Sequence, residues 1–142
     1  AIPGLRLGYG VGPGGLIERL SALRDPWAVN ALAQIAGVEA LRDAQYIRET
    51  RELVAKERQF LYESLEKVPG LKPYPSVANF LLVNIVSKAL TSSELCRILG
   101  EKGVFIRDCS NFPGLDEHHF RVAVRTRSEN ERLLAALAEA FC

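Results

Sequence analysis

The sequence predicts a mixed chain, α/β then α+β, in two unlike regimes. One short strand and much helix fill residues 1–70, and a compact strand–helix–strand–strand–helix unit fills residues 71–142. Three observations predict this. Apolar residues recur at helical spacing through the first regime, with Leu53, Val54, Leu61, Leu65 and Val68 along one stripe. The period then changes at VANFLLVNIV (77–86), which reads as a well-buried strand. Pro69-Gly70 stands between the two and stops the helix.

Taken in order, residues 4–12 alternate apolar Leu5, Leu7, Tyr9 and Val11 against Arg6 and glycines, the pattern of a short strand. Pro13-Gly14-Gly15 breaks it and opens a short amphipathic helix, GLIERLSALR. Asp25-Pro26 makes a turn, because proline disfavours helix at the residue before it. From Ala28 to Val68 the pattern is helical, with Gly37 marking either a break or a tight helix contact. Leu71 to Pro75 is the expected hinge between the regimes. Thr91-Ser92-Ser93-Glu94 is a capping box that opens the helix ELCRILGEK, and Gly103 stops it. VFIRD is a strand, CSNFPGLDEH a loop and HFRVAVR a strand. Ser128-Glu129-Asn130-Glu131 is a second capping box ahead of the last helix, ERLLAALAEAF.

Composition narrows the function classes. With 142 residues, 48% hydrophobic and 25% charged, the chain is an ordinary globular one with enough apolar content for a core. A net charge of +1 and the lack of any lysine/arginine block give no case for nucleic acid or an acidic membrane as partner. No apolar run reaches the length of a membrane span. Cys96, Cys109 and Cys142 are far apart without a C-x-x-C, which fits a reduced, cytoplasmic setting. His118 and His119 are adjacent and would face opposite ways in a strand, so with isolated cysteines they make a poor metal site. The five lysines read as solvated surface charges, Trp27 and Tyr9 as packing groups, and Cys109 as a thiol without a paired base.

The arginines are less ordinary. GLRLGYG (Arg6), VFIRD (Arg107) and HFRVAVR (Arg121, Arg125) each set a guanidinium among apolar or small residues of a strand-like stretch. Such a charge is costly unless it is met. Either each arginine pairs with one of the 17 acidic residues or lies on an edge, or the group binds a small dianion through its planar fork. The glycines around Arg6 leave room for a ligand to approach the backbone.

The stretch Ala1-Ile2-Pro3-Gly4-Leu5-Arg6-Leu7-Gly8-Tyr9 resembles the segment just after the cofactor-binding lysine in fold-type I enzymes that use pyridoxal 5′-phosphate. The groups it most resembles are histidinol-phosphate aminotransferase and threonine-phosphate decarboxylase. The resemblance runs the length of the chain. It implies the end of the large cofactor-binding domain, a long connecting helix and a small C-terminal domain, with the lysine expected just upstream of Ala1 and no catalytic residue in this chain. Arg6 matches the arginine that holds the cofactor phosphate. Arg121, in FRVAVRTRSEN, matches the clamp for the substrate α-carboxylate, and Arg107, in VFIRDCSNFPG, a second substrate-contacting arginine near the distal phosphate.

Within that family, DPWAVN and RDCSNFPGLDEHHFRVAVR look more like the decarboxylase of cobalamin synthesis, and aminotransferases more often show glycine where Arg125 stands. The resemblance implies a phosphorylated amino-acid substrate, a homodimer for the full-length enzyme, and an inactive chain by itself. Two alternatives stand beside the decarboxylase: the aminotransferase, and a free-standing module that binds a small anion or another protein.

Overall fold

The structure, a computed structural model, describes residues 3–141. The chain divides into two compact units, Ala1–Arg48 and Glu49–Cys142.

In the first unit a 3-10 turn, Pro3–Leu5, precedes α1 (Gly14–Leu23), α2 (Ala31–Arg42) and the start of α3 (Ala44–Leu65). The strand expected over 4–12 does not form. Arg6 has φ 52°, in the left-handed region that breaks strand alternation, and the glycines that follow supply no side chains to pack on a sheet. α2 is capped by Asn30, whose side chain accepts from the Ala33 N–H at 2.8 Å. The continuous helical pattern from Ala28 to Val68 resolves into two helices at Asp43. Its ψ of 77° leaves the helix, and its carboxylate accepts from the Tyr46 N–H at 2.9 Å to start α3. Gly37 is the tight contact of the two options: a Cβ there would overlap the Leu7 side chain. Ala33 is the one buried hydrophobic among the described residues of this unit; Leu32 is 77% and Trp27 90% exposed. Trp27 and Tyr9, expected to pack, instead stand exposed.

In the second unit, α3 is followed by β1 (Leu71–Pro73), β2 (Phe80–Ile85), α4 (Ser92–Glu101), β3 (Arg107–Asp108), β4 (His119–Ala123) and α5 (Arg127–Phe141). The strands form one sheet in the order β1-β2-β4-β3, every neighbouring pair antiparallel. The stretch expected as a hinge, Leu71 to Pro75, begins as the edge strand β1. Leu71 and Pro73 are buried on the core side, and Pro73 is tolerated because an edge strand leaves one side of its ladder unpaired. β4 stops at Ala123 instead of running to Arg125.

Alternation along β2 and β4 drives Leu81, Val83, Ile85, Phe120 and Val122 to one face. There they meet Leu61 and Leu65 of α3, Leu95 and Leu99 of α4, and Leu133, Ala136 and Leu137 of α5, which form one continuous core. Gly103 (φ 69°), two residues past α4, takes the left-handed conformation that ends a helix, as its position predicts; Gly70 (φ 84°) is also left-handed, but α3 already ends at Leu65, and Gly70 instead turns the chain into β1.

The Thr91–Glu94 capping box of α4 is complete: Glu94 N–H donates to Thr91 Oγ1 at 3.2 Å, and Thr91 N–H donates to Glu94 Oε2 at 2.8 Å. At α5 the expected Ser128 box is replaced by a one-sided cap two residues earlier. Glu129 Oε2 accepts from the Thr126 N–H at 3.2 Å and from its hydroxyl at 2.6 Å, so Thr126, not Ser128, opens α5.

Candidate functional site

The sheet of the second unit has a packed face and an open one. Side chains that alternate with the core residues emerge on the open face in rows set by the register. Lys72, Asn84 and His119 share one row; Leu82, Arg121 and Arg107 share the next. Tyr74 extends the second row, because its N–H donates to the Leu82 carbonyl at 2.9 Å.

The structure therefore brings two of the three sequence-predicted site residues together. Arg107 and Arg121 are direct partners across β3 and β4. Each guanidinium lies over a ring: Arg121 Cζ is 4.7 Å from the Phe80 centroid and Arg107 Cζ 5.6 Å from that of Phe112. Arg107 also donates to Asn111 Oδ1 at 3.2 Å. Among the described residues neither forms an ion pair. The acid nearest in sequence, Asp108, is engaged elsewhere: it accepts from Ser92 Oγ at 2.6 Å and from the Ser110 N–H at 2.8 Å. These hydrogen bonds hold its carboxyl below the usual range.

The plain pairing reading does hold for other arginines. Arg125 Nη2 pairs with Glu129 Oε1 at 2.6 Å, and Arg127 Nε with Glu57 Oε2 at 3.0 Å. Arg125 thus lies beyond β4 with its charge met, and the strand arginines that share a face are 107 and 121.

Arg6 belongs to the first unit. It is exposed, in the left-handed conformation, between glycines at 4, 8 and 10 whose built Cβ atoms would touch nothing. A non-glycine residue at φ > 0 among open glycines is compatible with a backbone that a phosphate approaches closely, and a guanidinium there fits the phosphate group of pyridoxal 5′-phosphate.

Two groups of polar residues escaped the sequence reading. The first is Tyr74–His119–Asp116. His119 is buried, with Nδ1 2.6 Å from Asp116 Oδ1 and Nε2 3.3 Å from the Tyr74 hydroxyl. Asp116 also accepts from the His118 N–H at 3.0 Å, and these contacts lower its pKa. His118 turns away, its Nδ1 3.1 Å from the Leu90 carbonyl oxygen. No sequence spacing announces this group, since Tyr74 reaches it only through sheet pairing.

The second is buried Glu57, which takes bonds from Arg127 Nη2 at 3.1 Å and Asn130 Nδ2 at 3.2 Å. A signal for it existed: Glu57 sits midway between Leu53 and Leu61 on the apolar stripe of α3. Cys109 is also buried, and burial pushes its thiol up against the lowering influence of Arg121 and Arg107.

Two cation forks on adjacent strands, each over a ring and neither met by a carboxylate among the described residues, give the open face a planar donor geometry of the kind that suits anions. The comparisons with known proteins show the family. The model of the aminotransferase class I and II family matches residues 1–137, and the chain belongs to that family. It is 42% identical over 138 residues to the threonine-phosphate decarboxylase of Salmonella typhimurium, covering 96% of this chain and 37% of that protein. It is 36% identical over 138 residues to the histidinol-phosphate aminotransferase of Methanothermobacter thermautotrophicus, covering 97% and 37%. Among solved structures, the histidinol-phosphate aminotransferase of Clostridium acetobutylicum superposes with a TM-score of 0.87 at 31% identity, over 99% of this chain and 42% of that one. The chain thus spans about two-fifths of the length of the relatives it matches.

Proposed function

We propose that the chain is the C-terminal part of a pyridoxal 5′-phosphate enzyme acting on a phosphorylated amino acid, and that this enzyme is an L-threonine-O-3-phosphate decarboxylase. The observation that carries the reading is the opposed pair Arg107 and Arg121 on the open sheet face, without an ion-pair partner among the described residues. A phosphorylated amino acid presents two anions. Arg121 takes the α-carboxylate and thereby orients Cα; Arg107 takes the distal phosphate. Arg6 holds the cofactor phosphate. The cofactor, when bound, supplies an electron-accepting ring for the bond broken at Cα. The enzyme is a cytoplasmic homodimer serving cobalamin synthesis.

Support for the decarboxylase comes from identity: 42% to a relative of that name against 36% to an aminotransferase. The structural likeness to the Clostridium acetobutylicum aminotransferase, at TM-score 0.87, favours histidinol-phosphate aminotransferase as the second reading. The substrates decide between them. Histidinol phosphate has an amine and a phosphate but no carboxylate. The full-length enzyme is supplied with threonine phosphate and assayed for carbon dioxide, then with histidinol phosphate and 2-oxoglutarate and assayed for glutamate. Release of carbon dioxide without glutamate is expected. Glutamate alone establishes the second reading.

A further inference from the structure

His119 is a buried titratable residue two positions before Arg121, on the same strand and the same face. Its ring is stacked with that of Tyr74, centroids 6.0 Å apart. The hydrogen-bond chemistry at its two nitrogens is unequal. The Asp116 carboxylate, 2.6 Å from Nδ1, is an acceptor, so Nδ1 carries the proton of the neutral ring. Nε2 is then an acceptor, and the Tyr74 hydroxyl, 3.3 Å away, donates to it. When the ring takes a second proton, Nε2 becomes a donor. The Tyr74 oxygen must then accept, and the hydroxyl proton is free to point elsewhere.

What lies elsewhere is the open face. The bond from Tyr74 N–H to the Leu82 carbonyl puts Tyr74 at the end of the row that continues through Leu82 to Arg121 and Arg107. Tyr74 is half-buried. The titratable and charged groups around His119 are Asp116 from the loop before β4, Tyr74 and Lys72 from β1 and its extension, Arg121 along β4, and Cys109 just past β3, whose N–H donates to the His119 carbonyl at 3.0 Å and whose thiol is kept protonated by burial. His118 is turned onto Leu90, with Glu117 3.8 Å from its Nε2.

We propose that Tyr74 is a third anion-binding residue of this face, its donor withheld by neutral His119 and released when His119 is protonated, with Asp116 as the positioning residue that fixes the tautomer. The ligand is the substrate anion taken by Arg121, the nearer arginine in the row, and a small oxyanion such as sulfate stands in for it, its acceptor oxygens taking the guanidinium fork and the hydroxyl together. This rests on the reading of Arg107 and Arg121 as substrate-anion groups. By linkage, binding such an anion takes up a proton at His119.

Inorganic sulfate is the probe, because it keeps both charges from about pH 5.5 to about pH 8, the range in which histidine titrates. Its affinity for the purified chain is read by NMR from the arginine Nε–H and His119 ring signals at both ends of that range. The parent is expected to bind about fivefold more tightly at the lower pH. Tyr74→Phe keeps every charge and removes only the hydroxyl, so it should cut that ratio at least by half. His119→Gln should abolish the ratio's His119 share, but the test does not depend on that buried variant folding. A ratio unchanged in Tyr74→Phe, or no pH dependence in the parent, overturns the role of Tyr74 while leaving the arginine reading intact, provided that Arg121→Ala still weakens sulfate binding. Sulfate affinity indifferent to Arg121→Ala at both pH values removes the anion face itself, and this inference with it.

Discussion

Arg107 and Arg121 are directly opposed across the β3–β4 ladder, each guanidinium over an aromatic ring, while Arg125, four residues past Arg121, is bound to Glu129. The three arginines therefore differ in what a substitution removes. In the full-length enzyme, Arg121→Ala should lose about 2–5 kcal/mol of transition-state binding, as when one side of a buried charge pair is deleted. Arg121→Lys should recover little, since an ammonium cannot reproduce the planar fork. Arg125→Ala should cost far less, because its charge is already spent on Glu129. The measurement is kcat/KM for threonine phosphate. Arg121→Ala within threefold of the parent, with Arg125→Ala collapsed, would reverse the assignment.

Buried Glu57 and the α5 cap make stability sensitive to acid. Arg127 holds the Glu57 carboxyl below its ordinary value, and Arg125 with Thr126 holds Glu129 at about 2. A carboxyl whose pKa is lower in the folded state stabilises fully above its unfolded value. That contribution is lost as pH falls through the carboxylate range, for Glu129 down to about 2. Urea midpoints should therefore be flat from neutral pH to the mildly acidic range and drop steeply below it. Glu129→Gln should flatten the drop. Glu57→Gln should lower the thermal midpoint at neutral pH by about 5 °C, because Arg127 and Asn130 lose an ionised acceptor. A neutral-pH midpoint unchanged by Glu57→Gln would show that the network is dispensable.

Much of the second unit was legible in its sequence, and the reasons are local. Alternation over 80–85, the T-S-S-E box and the glycine at 103 each have one low-energy outcome, and the strand, helix and stop follow, although the strand begins at Phe80 and leaves Val77 exposed. The first unit was less legible because its signals conflict. GLRLGYG alternates like a strand, yet Arg6 adopts a left-handed backbone that no alternation pattern reveals. The arginines stood out by residue type, but only the register shows that 107 faces 121. Tyr74 stayed hidden because it follows an edge strand, Leu71–Pro73, in a stretch read as a hinge.

Thr91 should be the measurable cap. Its hydroxyl accepts from Glu94 N–H while Glu94 returns a bond to the Thr91 N–H, so one substitution undoes half of a reciprocal pair. Thr91→Ala should cost about 1 kcal/mol of unfolding free energy and Thr91→Ser almost none, read from urea midpoints with an unchanged slope. Equal losses in the two variants would assign the effect to the threonine methyl and not to the cap.

The two units should also differ in protection against hydrogen exchange. Every residue of the continuous core lies between Leu61 and Leu137, with Leu81, Val83, Ile85 and Phe120 among those fully enclosed. The first unit buries Ala33 alone among its described hydrophobics, and Leu20, Leu23, Leu32 and Ile35 are each more than half exposed. Opening free energy follows the apolar surface buried in a segment, so amides of β2 and β4 should exchange near the rate of global unfolding, and those of residues 4–40 orders of magnitude faster. The uncovered leucines of α1 and α2 should also drive self-association as concentration rises. Exchange measured by mass spectrometry on dilute, monomeric chain separates the two effects. Protection of residues 4–40 equal to that of 80–85 under those conditions contradicts the division of stability, whereas protection that appears only on concentrating the sample identifies the exposed helix faces as the surface that associates.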